Sequence, residues 1–425
     1  MDTPIGAKER VSRPDHLGVS TTLRRAVLRG LGNLALLVGA VVFCGLVAET
    51  AARTAVWWWS SADDVRRMPL IEPHPTLGWA KPAGAAAWLR RSEYVVRLEI
   101  NSHGLRGPER SYAKPPGVER VLLLGDSFTE GFGVAESDTV RTLLEVQLNH
   151  ATSGRFEVIN GGTTGYSTDQ EYLFYLDQGR RYDPDIVVLF LYYNDLSDDT
   201  VGGLDKPRFD LVDGKLQLRD SPVPPPSPAI SAWLRRGFRL KAWRGSMALR
   251  LLSDRTAAFN PGLHQKLVGL GLAAPARATR SIPGEFWPFR PARQLGRGPW
   301  RKPSALLGAI HDAVSEDGAR FVVFYVPVRF EIDDDAWQRT RENYSLGRRW
   351  TRDGAIDWLR EICTKRGVPL IDPRAAMRWS QQQGRASYFE NDGHWNEVGH
   401  AIAAREIATR LTGASSSAGR TARIP

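Results

Sequence analysis

The sequence predicts an α/β domain, a parallel sheet of about five strands with helices on both faces, behind one N-terminal membrane-spanning helix. Three observations predict it. Short, nearly continuous apolar runs at residues 120–124 (RVLLL) and 185–193 (DIVVLFLYY) have the character of strands buried on both faces. Segments of helical character separate such runs, so strand and helix alternate. Residues 31–48 form an unbroken apolar stretch behind a cluster of arginines.

That N-terminal stretch, LGNLALLVGAVVFCGLVA, has Asn33 as its only polar residue. As a helix it spans roughly 27 Å, enough for a bilayer core. Arg24, Arg25 and Arg29 stand beside it, and Lys8, Arg10 and Arg13 lie upstream. This flank is expected to stay in the cytoplasm and to send the rest of the chain outward. The expected division is a cytoplasmic tail at 1–25, a transmembrane signal anchor at 26–48 and a juxtamembrane region at 49–117. Trp57, Trp58 and Trp59 are placed to mark the outer interface. A cleaved signal peptide is the alternative; its n-region would be unusually long and its small-residue cleavage signal near Thr50 to Ala52 is weak.

The catalytic domain is assigned to 118–412. After the strand at 120–124 a helix is expected around 139–150, a strand at 156–160, a helix at 168–179 with Asp169 or Thr168 near its cap, and a strand at 185–193. A basic insertion at about 200–302 interrupts the alternation. It contains a hairpin around Asp213 and Gly214, a Pro-rich linker at 221–228, a basic amphipathic helix at 229–252 and a Pro-, Gly- and Arg-rich loop at 275–301. Alternation resumes with a helix at 304–316, a strand at 319–326, a helix at 353–366, a short strand at 368–372 and a last helix at about 396–411. The tail at 413–425 is small and polar, and is expected to be disordered.

The composition is that of a globular protein, with 42% hydrophobic and 24% charged residues. The net charge of +10 is concentrated: residues 231–302 hold fifteen Lys and Arg against two acids, and the remainder is slightly acidic. The basic balance therefore describes one region and does not imply nucleic-acid binding. Cys44 and Cys363 are not expected to pair. Neither the cysteines nor the eight histidines show metal-ligand spacing, since His394 and His400 stand six apart, so a metal hydrolase is disfavoured.

The chemistry begins at Ser127 in GDSFTEGFGV, directly after the first buried strand and before a helix. A serine on such a turn is presented at the carboxyl edge of the sheet, Gly125 permits the tight turn, and the N–H groups beginning the helix can stabilise an oxyanion. Gly-Asp-Ser is also a common turn and N-cap sequence, so the serine acquires meaning only with a base. The segment YFENDGHWNEVGH supplies His394 in a loop before the last helix, and Asp392, two residues earlier, can fix its tautomer. His400 falls within that helix and is expected to be a packed residue. Asp126, Thr129, Glu130 and Asp195 are expected to brace the loops.

Taken together these blocks resemble the SGNH (GDSL-type) hydrolase superfamily, which carries Ser, Gly, Asn and His in that order. Here they are Ser127 in GDSF, Gly165 in NGGTTGYS, Asn194 in YYND and His394 in DGHWN. The resemblance covers about residues 70–412 and includes HPTLGW and NSHGLRGPE before the nucleophile. It implies a three-layer α/β/α, flavodoxin-like fold and a catalytic triad of Ser127, Asp392 and His394. It also implies an oxyanion hole formed by the backbone N–H of Ser127 and Gly165 and the side-chain amide of Asn194. The sequence departs from the family's pattern at Tyr192, where a glycine usually stands, and at Asn391, where the acid usually stands. The D-x-H-W-N block resembles bacterial exopolysaccharide acetylation proteins and makes Asp392 the acid.

The implied activity is a serine esterase working through an acyl-enzyme on Ser127, without cofactor. Its expected substrate is O-acyl, foremost O-acetyl, groups of a cell-surface or exported polysaccharide. The expected location is the cytoplasmic membrane, single-pass, with the catalytic domain periplasmic or at the cell surface. The basic insertion would attract an anionic glycan or acidic headgroups, or would simply solvate a lid. The rival readings are an O-acetyltransferase of the same fold and a non-catalytic envelope assembly or binding protein.

Overall fold

The computed structural model describes residues 17–60, 70–152, 154–196, 206–223, 284–290 and 298–413, with short pieces between 260 and 267. The basic helix expected at 229–252, most of the Pro-rich linker and the polar tail lie outside the described residues. The chain divides into two compact units, one of residues 1–61 and 239–276, the other of 62–238 and 277–425.

In the first unit the helix α1, Leu17–Ser60, runs for 44 residues. It contains the apolar stretch Leu31–Ala51, with a mean hydropathy of 2.3, long and apolar enough to cross a membrane. The helix extends beyond the expected 26–48 at both ends. No glycine or proline interrupts residues 46–60, and Thr50 and Thr54 turn their hydroxyls back onto the carbonyls of Leu46 and Thr50, both at 2.8 Å. Residues 49–60, expected to open the juxtamembrane region, are therefore helical.

The second unit is built on a five-stranded sheet among the described residues. Its strands are β5 (Val118–Leu124), β6 (Arg155–Asn160), β7 (Ile186–Leu191), β10 (Arg320–Tyr325) and β11 (Leu370–Ile371). Their spatial order is β11-β10-β7-β5-β6, all parallel. The pleat divides their side chains cleanly. Leu122, Leu124, Val187, Leu189, Phe321 and Val323 enter one core, while Val121, Leu123, Ile186, Val188, Phe190, Val322 and Phe324 enter the other. Both faces are apolar because helices cover both. Thr168–Asp177, Arg301–Glu316 and Gly354–Arg366 lie on the first face. Val140–Ala151, Arg374–Gln382 and Glu397–Thr412 lie on the second.

The helix Thr168–Asp177 is capped by Ser167, next to Thr168, and the Ser167 backbone N–H donates to Gln170 Oε1 at 3.3 Å. Helices at Asp334–Tyr344 and Arg374–Gln382 were not expected. The hairpin around Asp213 and Gly214 forms from β8 (Arg208–Val212) and β9 (Lys215–Arg219), with both turn residues at positive φ.

Residues 70–117 fold onto this unit as two antiparallel hairpins. One joins β1 (Glu72–His74) to β2 (Gly78–Ala80), the other β3 (Ala86–Arg90) to β4 (Val95–Glu99). Trp79 is fully buried; its indole N–H donates to Thr164 O at 3.0 Å.

The chain order reverses between β5 and β7: the path leaves β5 for β6 on one side and returns to β7 on the other. Loops at the carboxyl ends of these two strands depart in opposite directions, which opens a crevice where α/β proteins bind ligands.

Candidate active site

Ser127 follows β5 and begins a single helical turn, Ser127–Glu130. Asp126 caps that turn, its Oδ1 accepting from Phe128 N at 2.9 Å. Gly125 is required by close approach: a Cβ there would meet Thr129 Oγ1 at 2.1 Å and Phe190 Cβ at 3.0 Å. The far end of the turn is closed by buried Arg106, whose guanidinium donates to the carbonyls of Glu130, Gly131 and Val134. The serine is thus held at both ends of a very short element.

The second block follows β6. Gly162 packs against the nucleophile turn so tightly that a Cβ would fall 2.5 Å from Glu130 N. Thr163 N donates to Gly125 O at 3.1 Å. The buried Glu130 carboxylate accepts from Thr164 N at 2.6 Å and from the Thr164 hydroxyl, and Lys81 bridges Gly162 O and Thr163 Oγ1 at 2.8 and 2.9 Å. Burial pushes the Lys81 ammonium down from its ordinary pKa, against the charge of Glu130. These bonds position Gly165, at φ +78°, beside the nucleophile turn.

The third block follows β7. Asn194 lies in the turn Tyr193–Leu196, with its side chain in hydrogen-bonding reach of the Asp126 carboxyl. Asp195 Oδ2 accepts from Tyr192 N at 2.6 Å and fixes the turn. Ser127, Gly165 and Asn194 therefore occupy the carboxyl ends of three adjacent strands.

The last block comes from the loop before helix Glu397–Thr412. His394 Nε2 lies 2.8 Å from Ser127 Oγ, and His394 Nδ1 lies 2.5 Å from Asp392 Oδ1. The structure brings Ser127, His394 and Asp392 into one hydrogen-bonded line. The backbone N–H of His394 also donates to Asp392 Oδ1, at 3.1 Å. Burial alone would raise the Asp392 carboxyl, but the bonds and charge of His394 and a bond from Tyr94 hold it well below the usual carboxylate range. An ionised Asp392 places the imidazole proton on Nδ1 and leaves Nε2 to accept from the serine.

Aromatic rings enclose the imidazole. Phe128 and Phe132 lie with centroids 5.1 and 4.6 Å from it. Tyr192, at the position where the family's glycine usually stands, packs on Phe128 at 4.7 Å and extends this wall. Asp126 is buried behind the serine, and burial raises its carboxyl to about 6 against the opposing bond from Phe128 N and the charge of His394.

Among the other residues singled out from the sequence, Glu130 binds a backbone N–H of a neighbouring loop and Asp195 one of its own turn. Thr129 is buried behind Gly125. His400 is buried, with its Nδ1 accepting from Val140 N at 3.3 Å, and burial pushes its pKa down to about 3. Among the described residues no group of three or more His, Cys, Asp or Glu side chains could hold a metal ion.

Sequence reasoning missed three residues that the structure brings to the site. Lys81 supports the glycine loop, as above. Tyr94 donates its hydroxyl to Asp392 Oδ2 at 2.6 Å. Glu93 accepts from the backbone N–H of Glu390, Asn391 and Asp392 at 2.6, 3.0 and 2.9 Å.

Comparison with known proteins bears on this geometry. A model of the GDSL-like lipase/acylhydrolase family matches residues 123–342. A model of an SGNH hydrolase-like domain, that of the acetyltransferase AlgX, matches residues 287–423. No curated protein matches the chain. Similar solved structures include a lipase/acylhydrolase from Enterococcus faecalis, 14% identical, covering 69% of this chain and 96% of that one with a TM-score of 0.37. The acetyl xylan esterase AlAXEase is 14% identical over 69% of this chain and 99% of that one, with a TM-score of 0.35. A catalytic mutant of the acetylxylan esterase Axe2 from Geobacillus stearothermophilus is 14% identical over 69% and 94%, with a TM-score of 0.35.

Proposed function

The chain belongs to the GDSL-like lipase/acylhydrolase family, and we propose that it hydrolyses O-acyl esters, foremost O-acetyl groups of an exported or cell-surface glycan, through an acyl-enzyme on Ser127. The observation that carries this reading is the unbroken line from Ser127 Oγ through His394 to Asp392.

In the proposed mechanism His394 Nε2 takes the Ser127 proton as Oγ attacks the ester carbonyl. The negative charge formed on the carbonyl oxygen is met by the N–H groups of Ser127 and Gly165 and the amide of Asn194, each such donor worth about 10²–10³ in rate. Asp392 stabilises the imidazolium. His394 then protonates the departing alkoxide, and the acyl group remains on Ser127. Water, deprotonated by His394, releases it. No step calls for a cofactor.

Residues 26–48 are read as a single-pass anchor in the cytoplasmic membrane. The flanking Arg24, Arg25 and Arg29 support a cytoplasmic N-terminus and an extracytoplasmic catalytic unit, periplasmic or at the cell surface. A second reading is favoured by the match of residues 287–423 to the domain of the acetyltransferase AlgX: a glycan hydroxyl replaces water as acceptor, and the same acyl-enzyme performs transfer.

The full-length protein in detergent, treated with a fluorophosphonate probe, should be labelled, and Ser127→Ala should abolish the labelling. A folded wild-type protein that takes no label would overturn the esterase reading. With p-nitrophenyl acetate as donor, acetyl appearing on an added oligosaccharide in place of free acetate would select transfer over hydrolysis.

A further inference from the structure

The family matches begin at residue 123, yet the acid of the catalytic line is held by residues that precede them. Asp392 lies in a loop whose sequence, ENDGH, offers little to fix it: Gly393 has no side chain and a Cβ there would meet nothing within 4 Å. The loop's own bonds near the acid are Phe389 N to His394 O at 3.1 Å and His394 N to Asp392 Oδ1 at 3.1 Å. The remaining anchors come from elsewhere. Three consecutive backbone N–H groups, those of Glu390, Asn391 and Asp392, converge on the single carboxylate of Glu93. The neighbouring Tyr94 donates to Asp392 Oδ2, the oxygen that His394 does not use. From the other side Arg329 donates to the carbonyls of Phe389 and Glu390 at 3.3 and 2.7 Å.

We infer that Glu93 and Tyr94 are positioning residues for catalysis, and that the hairpin β3–β4 is an obligatory part of the catalytic apparatus although it stands outside the family match. The inference rests on the proposed triad and deepens it. Its physical basis is division of labour. A carboxylate that accepts three N–H groups fixes the backbone carrying the acid, and a phenol bonded to the acid's second oxygen fixes the rotation of the carboxylate, so that Oδ1 faces His394 Nδ1. The hairpin is itself rigid enough to serve. Leu89 and Leu98 are buried beneath it, in a small core with Tyr94, Phe132, Val134 and Phe389. The Tyr94 ring packs on Phe389 at 4.7 Å and edge-on to Phe132 at 6.3 Å. The same ring thus touches residues on both the nucleophile loop and the acid loop.

Two measurements on the full-length protein test this. The first is turnover of p-nitrophenyl acetate. Tyr94→Phe keeps the ring and its packing and removes one hydroxyl. It should lower kcat about tenfold with KM unchanged, well short of the roughly 10⁴-fold loss that follows when the imidazole tautomer is no longer controlled. It should also shift the acid limb of the pH–rate profile, which a packing role would leave in place. The second is hydrogen exchange of the 390–392 amides, which needs no turnover. Exchange should be slowest in wild type, faster in Glu93→Gln and fastest in Glu93→Ala, with thermal midpoints alike.

Unchanged kcat and pH profile in Tyr94→Phe, together with unchanged exchange in Glu93→Ala, would overturn the inference. If wild type shows no Ser127-dependent turnover, the esterase reading fails; the exchange series then decides by itself whether the hairpin holds the acid loop.

Discussion

The two edges of the parallel sheet handle buried charge in opposite ways. At the amino edge the guanidinium of Arg120, 1% exposed, meets Glu157 at 3.1 Å and the carbonyls of Ser111, Tyr112, Ala113 and Tyr182 at 2.8–3.3 Å. Asp185 nearby accepts from Arg120 N at 2.7 Å and pairs with Lys114 at 3.0 Å. Charge there is matched to donors and acceptors, and the result is a fastening. At the carboxyl edge Asp126, Glu171 and Asp195 are buried within each other's fields. Burial and mutual repulsion raise the carboxyls of Glu171 and Asp195, and burial raises that of Asp126. Among the described residues neither carboxylate oxygen of Glu171 has a hydrogen-bond partner. A fold can bear such an arrangement only if the rest is stable, and sites of chemistry are where it is found.

Substitutions at the two edges should therefore fail differently. The largest effect belongs to the carboxyl edge: His394→Ala should lower kcat by about 10⁴-fold or more while leaving the thermal midpoint near wild type, since the side chain lost belongs to a loop and is 25% exposed. A parallel loss of stability would blur the contrast. At the amino edge Arg120→Leu takes the donor from four carbonyls and leaves Glu157 paired with Arg110 alone, at 3.6 Å, and should cost about 3–5 kcal/mol in denaturant unfolding while the folded fraction keeps its kcat.

The third prediction concerns pH. Burial pushes the His400 imidazole down to about 3 from its ordinary 6.5. A base whose folded pKa is depressed contributes stability that is fully present above pH 6.5 and lost as pH falls through 6.5 toward 3, because the unfolded chain binds the proton first. Unfolding free energy should fall by roughly 3–4 kcal/mol across that window, and His400→Gln should flatten the fall. A wild-type curve that is flat between pH 6.5 and 4 would count against a neutral, buried His400.

The smallest expected effect is of opposite sign. Glu171 has a raised folded pKa, so its contribution is present below 4.5 and lost as pH rises. Glu171→Gln should stabilise the protein by about 1–2 kcal/mol at pH 8 and by less at pH 4. Stabilisation equal at both values would assign the gain to packing rather than to charge.

Much of this architecture was legible in the sequence because it rests on local signals. Residues 121–124 and 186–191 are apolar throughout, as in a sheet covered on both faces, the Ser and Asn blocks stand where those strands end, and the Gly block follows the strand between them in sequence. The segments that escaped notice lacked such signals. Helix Asp334–Tyr344 buries only Ala336, so no apolar stripe announces it. Helix Arg374–Gln382 buries Arg374, Met377 and Ser380, a stripe in which one residue of three is apolar. Helix α1 runs past its apolar stretch because apolarity ends near Ala51 whereas helical propensity does not. Glu93 and Tyr94 were invisible for a different reason: their partners lie 297–299 residues away, and nothing in a hairpin turn reports a bond over that distance.

The separation of 267 residues between Ser127 and His394 also sets a clock. At a synthesis rate of about 5–20 residues per second, the proposed nucleophile emerges roughly 13–50 s before its proposed base. Until His394 has been made the nascent chain carries Ser127 without that proton acceptor, and the hydrogen-bonded line from Ser127 to Asp392 has no middle member.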